Sequence, residues 1–237
     1  MNGPVWLYLH GFASSPSSTK ARAFQAWGQA RGLTIEALDL RVPSFESLRF
    51  SAIKARVREA IDASAEAGGH HLARAVLIGS SLGGLTACRV AEDDPRVCAV
   101  FAMAPAFRLA ERWRTQMGEA KWEAWRRDGS LELDDHAKKK KARVEFGFVE
   151  ELQAIDVGWP DVRVPTCIVH GRADDVVDIE RSRSFARDKR HVRLVEVDDG
   201  HELSASITRI LSEADHFFAP LGAAPATPGA IREHAND

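Results

Sequence analysis

The chain of 237 residues has three cysteines and no C-x-x-C pair. Cys88, Cys98 and Cys167 all stand in apolar stretches, which argues against a disulfide framework or a cysteine metal site and predicts small reduced core residues. Long apolar runs are missing too: none approaches the roughly 20 residues that a membrane span requires. Charge of one sign is not in excess, since 32 Lys and Arg face 34 Asp and Glu for a formal net charge of -2. No field therefore steers the chain to nucleic acid, and no RNA- or DNA-binding motif is present. The first strand-like segment, Val5 to Leu9, has no basic region before it and no small-residue cleavage site after it. A signal peptide is not indicated, and the chain reads as cytoplasmic. No internal repeat is evident.

What is present is a core and a rhythm. With 45% hydrophobic residues, a chain of this length suits one well-buried α/β domain. Short apolar runs at Val5–Leu9, Thr34–Leu38, Ala75–Ile78, Val97–Ala102, Thr166–Val169 and Val192–Val197 alternate with amphipathic spacers. Ala21, Phe24 and Trp27 recur at helical spacing, as do Ile53, Val57, Ala60 and Ile61. The pattern predicts a mostly parallel sheet of about six strands with helices on both faces. One spacer, about 107–164, is roughly twice the usual crossover and predicts a cap inserted over the sheet. The folded domain then spans 1–218. Residues 219–237, rich in Ala, Pro and Gly, read as a mobile tail.

The run Gly79-Ser80-Ser81-Leu82-Gly83 joins the apolar segment Ala75–Ile78 to a helical pattern. A serine placed where a buried strand turns sharply into a helix has the layout of a nucleophile elbow, in which small neighbours relieve backbone crowding. Taken alone, Ser81 could equally be a helix N-cap. A serine hydroxyl needs a base, and the base needs a carboxylate to orient it. His201 lies just after the last strand, at the carboxyl end where open α/β sheets place their sites. Asp174, after the strand ending at Val169, is the first choice of acid. Asp175 points elsewhere, either capping the helix near Asp178 or solvated, and Asp198 and Asp199 lie too close to His201 on one turn. Donors for a developing oxyanion are expected from the N–H groups of Leu82 and Phe12.

Tyr8-Leu9-His10-Gly11-Phe12, Gly79-Ser80-Ser81-Leu82-Gly83, His170-Gly171-x-x-Asp174 and Gly200-His201 resemble the signatures of the α/β-hydrolase superfamily over about residues 4–218. The opening Tyr8-Leu9-His10-Gly11-Phe12-Ala13-Ser14-Ser15-Pro16 most resembles small bacterial esterases of the YqiA/YcfP type. The resemblance implies a shortened sheet and hydrolysis of a small-molecule acyl ester or thioester, with no cofactor or metal. The same Ser81, Asp174 and His201 would serve a peptidase or a carbon–carbon bond hydrolase, and a non-catalytic binding protein on this scaffold is the reading from a different class.

The insertion carries Trp113, Met117, Trp122 and Trp125 at helical multiples, which predicts one apolar stripe on a charged helix. Placed over the nucleophile, that stripe makes Met117, Trp122 and Trp125 candidate substrate contacts, with Phe107 and Phe146 to Phe148 as further wall residues. The run Lys138 to Lys141 reads as a solvated helix face, with attraction of a phosphate-bearing acyl-CoA as the alternative.

Overall fold

Residues 3–67 and 74–222 are described by a computed structural model of the chain. Its elements are β1 (Val5–Leu9), α1 (Thr19–Gln29), β2 (Ile35–Leu38), α2 (Phe50–Ala67), β3 (Ala75–Ser80), α3 (Leu82–Asp93), β4 (Val97–Met103), α4 (Leu109–Met117), α5 (Glu119–Asp128), β5 (Ser130–Asp135), β6 (Lys140–Glu145), α6 (Gly147–Ile155), β7 (Thr166–Gly171), α7 (Ile179–Ala186), β8 (Val192–Val197) and α8 (Ile207–Phe218). A 3₁₀ turn at Ala219–Leu221 follows, and residues 223–237, most of the expected tail, lie outside the described residues.

The six expected strands form one sheet in the order β2-β1-β3-β4-β7-β8, parallel throughout. Every residue of β3 and β7 is buried, as strands covered on both faces require. Alternation then sorts the side chains. Trp6 and Tyr8 of β1, with Phe101 of β4, pack against Phe24, Trp27 and Phe218, the layer made by α1 and α8. Leu7 and Leu9 pack on the other face with Ile53, Val57 and Ile61 of α2 and Leu85 of α3. The residues predicted to line α1 and α2 are thus core.

From β1 the chain steps outward to β2, then returns to the far side of β1 for β3 and continues away from it. The reversal leaves a crevice at the carboxyl ends of β1 and β3, where an open sheet of this kind binds its ligand.

The insertion departs from expectation in two ways. The tryptophan stripe does not lie on one helix: Gly118, at φ +77°, ends α4 and starts α5. Lys138 to Lys141 are exposed as expected, but on a β-hairpin rather than a helix. Leu131 and Leu133 stand opposite Val144 and Ala142, and Asp135 Oδ1 accepts from the Lys138 N–H at 3.1 Å to close the turn. That turn is fixed to the loop after β1 by the bond from the Ala137 N–H to the Ala13 carbonyl, 2.9 Å.

Candidate active site

Ser81 sits between β3 and α3 at φ +53°, ψ -115°. A non-glycine residue in that region carries strain of order 1–3 kcal/mol and persists only where its surroundings hold it. Here they do: the Ser81 N–H donates to Met103 at 2.9 Å, and its carbonyl accepts from Leu85 at 3.0 Å and Ala106 at 3.1 Å. Two glycines make room for the turn. A Cβ on Gly79 would run into the Gly83 carbonyl, and one on Gly83 into the Leu9 carbonyl. The Ser81 hydroxyl does not cap α3, so it is available elsewhere.

It points to His201. Nε2 of His201 is 3.1 Å from Ser81 Oγ, and Nδ1 is 2.8 Å from Asp174 Oδ2. Since the carboxylate can only accept, Nδ1 carries a proton, which leaves Nε2 to accept from the serine. His201 is 12% exposed and Asp174 wholly covered. The histidine loop is held by Asp199, which accepts from the N–H groups of Gly200 at 2.8 Å and Ser206 at 2.9 Å. Asp198 instead pairs with Arg172 at 2.6 Å.

Asp174 receives four donors, which fills its lone-pair sites. Oδ1 takes the N–H groups of Val176 at 2.8 Å and Val177 at 2.6 Å; Oδ2 takes His201 and, at 3.1 Å, Nε2 of His170. Burial pushes this carboxyl up, but the hydrogen bonds from His170, His201 and Val177 prevail and hold it well below the usual carboxylate range. His170 is buried beneath it. Its Nε2–H is shared with the Val177 carbonyl at 2.9 Å, and Nδ1 accepts from the Ser182 hydroxyl at 2.7 Å. Asp175 is exposed, and the cap of α7 is Asp178, which accepts from the Glu180 N–H at 2.9 Å. Of the two fates expected for Asp175, solvation is the one observed.

The crevice between β1 and β3 brings the remaining parts together. An added Cβ on Gly11 would lie 3.3 Å from Ser81 Cβ, so the loop after β1 passes directly over the serine. His10 sets that loop: Nδ1–H donates to the Gly11 carbonyl at 2.8 Å, while Nε2 accepts from the Leu40 N–H at 3.0 Å. Burial lowers the pKa of His10 and favours this neutral form. Among the described residues, neither Phe12 nor Leu82 gives its backbone N–H to an acceptor in the fold.

A cavity of about 750 Å³ opens over Ser81 and His201. Met117 lines it, together with Phe12 and Trp113. Trp122, Trp125 and Phe107 do not: they are 2%, 1% and 1% exposed and belong to the core. Trp122 and Trp125 meet Phe146 edge-on at 5.5 and 5.7 Å, and the Trp125 indole donates to Val144 of the hairpin at 2.9 Å. Phe107 packs on Phe185 at 4.6 Å, and Phe148 is fully buried behind Phe12. The hairpin needs an apolar backing, and Trp125, with Trp122 and Phe146 around it, supplies it. Arg112, which also lines the cavity, and His170, which supports the acid, had no role in the sequence reading. His170 is visible only as part of the His-Gly-x-x-Asp run, and Arg112 carries no signal beyond a helical position.

Among the described residues no group of three or more His, Cys, Asp or Glu is placed to hold a metal, and no helix is long and apolar enough to cross a membrane. The family model described as Uncharacterised protein family (UPF0227) matches residues 5–219. No curated protein matches the chain in sequence. Solved structures are similar in fold: alpha/beta hydrolase domain-containing protein 10 from mouse, at 19% identity and TM-score 0.74, over 93% of this chain and 92% of that one. Est1E from Butyrivibrio proteoclasticus, solved with ferulic acid, is 20% identical at TM-score 0.74 over 92% and 89%. The Pyrococcus furiosus esterase Pf2001 is 16% identical at TM-score 0.67 over 92% and 83%.

Proposed function

The chain belongs to family UPF0227 and has the α/β-hydrolase fold; on that footing we propose that it is a serine hydrolase of carboxylic esters or thioesters. The observation that carries the reading is the line from Ser81 Oγ through His201 to Asp174, 3.1 and 2.8 Å long, beginning at a serine held in a strained turn. In the reading, His201 Nε2 takes the Ser81 proton as Oγ attacks the acyl carbon. The carbonyl oxygen gains the negative charge, and the N–H groups of Phe12 and Leu82 stabilise it. The imidazolium then protonates the departing alkoxide or thiolate, leaving an acyl-serine. Water, deprotonated by the same nitrogen, releases the acid and restores Ser81.

Asp174 stays ionised throughout, fixing the tautomer and offsetting the imidazolium charge. Ester chemistry is also in keeping with the two fold relatives, one an esterase by name and one solved with ferulic acid. Three free cysteines fit a reducing cytoplasm. The test is labelling with a fluorophosphonate. A single adduct is expected on Ser81, with none on Ser81→Ala; a wild-type protein that stays unmodified, or a variant that labels as well, contradicts the reading.

A further inference from the structure

Three arginines stand on or beside α4. Arg108 pairs with Glu111 at 3.4 Å and Arg114 with Glu119 at 2.5 Å. Arg112 differs: among the described residues no carboxylate lies within salt-bridge distance of it. Its guanidinium makes one hydrogen bond, from Nη2 to the Asp175 carbonyl at 3.2 Å. A guanidinium has five N–H donors, so most of this one remain unused.

The side chain is half-buried and lines the cavity shared by Ser81 and His201. Burial lowers its pKa, with Asp174, Asp175 and Asp178 acting in opposition from farther off. It remains a cation all the same, since guanidinium is not deprotonated in proteins. A cation partly withdrawn from water without a counterion is unfavourable unless something completes it. Asp174 cannot, because all four of its acceptor sites are taken. The other cations of the wall are placed differently. Lys20 is bonded to the Glu202 carbonyl at 2.6 Å, with the Glu202 carboxylate 3.5 Å away, and Lys121 is exposed.

We propose that Arg112 is the receptor for a carboxylate carried by the substrate away from the scissile bond. The enzyme then acts on esters that bear a second, anionic end. The planar fork of the guanidinium matches a carboxylate through two parallel N–H bonds, and one desolvated cation neutralises one negative charge. Phe12, Trp113, Met117 and Leu109 line the same cavity and supply an apolar wall for the body of such a molecule. The assignment rests on the hydrolase reading of Ser81.

Two matched substrate pairs test it. Mono-p-nitrophenyl adipate against p-nitrophenyl hexanoate places the carboxylate on the acyl half. The para-carboxyphenyl ester of hexanoate against phenyl hexanoate places it on the alcohol half. In one pair the wild type is expected to favour the carboxylate member in kcat/KM by about tenfold or more, the scale of one charge-assisted hydrogen bond. In Arg112→Gln that ratio falls toward unity through a rise in KM, and Arg112→Lys keeps part of it. Flat ratios in both pairs, or a ratio that Arg112→Gln leaves unchanged because both members slow alike, overturn the assignment. The second outcome makes Arg112 a positioning residue for the Asp175 loop. Fluorophosphonate labelling of the same preparations separates the two readings. Intact labelling with flat ratios removes the Arg112 receptor alone, whereas absent labelling removes the hydrolase reading and the receptor with it.

Discussion

Ser81 holds its hydroxyl toward His201 because the backbone at φ +53° turns it away from capping α3. Glycine tolerates that conformation without penalty. Ser81→Gly is therefore expected to abolish ester hydrolysis while raising stability by about 1 kcal/mol, the lower end of what such strain stores. Thermal melting and a p-nitrophenyl ester assay on one preparation check both halves; an unchanged or lower melting point would mean the turn is unstrained. Asp174 gives a second prediction. Its carboxyl titrates below the ordinary 3.8 in the fold, so the stability it contributes is present above that value and drains as pH falls through the folded one. The gap in melting temperature between wild type and Asp174→Asn is expected to be widest near neutrality and to close on acidification. Activity is expected to drop by about 10⁴-fold, because Asn allows the wrong imidazole tautomer. Ser81, Asp174 and His201 stand out in the sequence as candidates because each falls just beyond an apolar strand. Arg112 and His170 could not, since one is an ordinary arginine on a charged helix and the other looks like the end of a strand.

At the level of elements, the insertion separates packing from contact. Trp125 is sealed between α5 and the hairpin, whereas Met117 is a wall residue of the cavity. Trp125→Ala is expected to destabilise by about 3–5 kcal/mol, as loss of a buried aromatic does. Met117→Ala is expected to alter KM far more than melting temperature. Comparable stability losses in the two variants would contradict this division. The root of α4 is held by Asp156, which accepts from the Leu109 N–H at 2.9 Å and from Arg89 at 3.2 Å. Burial pushes its carboxyl up to about 6 against the opposing pull of these donors. A folded value above the ordinary 3.8 means its share of stability is full below 3.8 and lost as pH rises through about 6. Asp156→Asn, which cannot titrate, is expected to flatten the slope of melting temperature across that window; an identical slope in both proteins would refute it. The hairpin escaped the sequence reading for a physical reason. Its strands alternate Leu131, Leu133, Ala142 and Val144 with charges, and its turn contains His136 and lysines, with Lys139 at φ +51° where glycine or asparagine is customary. Gly118, by contrast, was a visible break within the tryptophan stripe.

For the molecule as a whole, the six strands could be read from apolar runs, because a strand covered on both faces must be apolar along its length, whereas their order in the sheet is known only from the structure. The cavity wall did not follow. A tryptophan facing a cavity and one facing a hairpin obey the same helical spacing, and only packing tells Trp113 from Trp125. The sheet order also has a kinetic side. The bond between His201 and Ser81 joins residues 120 positions apart, while His201 and Asp174 are separated by 27. Contacts of such long sequence separation form late, after the entropy of closing the intervening chain has been overcome. Recovery of ester hydrolysis during refolding is expected to coincide with the last tertiary signal, such as burial of the tryptophans, and never to precede it. Activity returning ahead of that signal would contradict the expectation. In the proposed reading, the same parallel order keeps Ser81 without its base until β8 has been made and docked, so a chain still being synthesised carries no armed nucleophile.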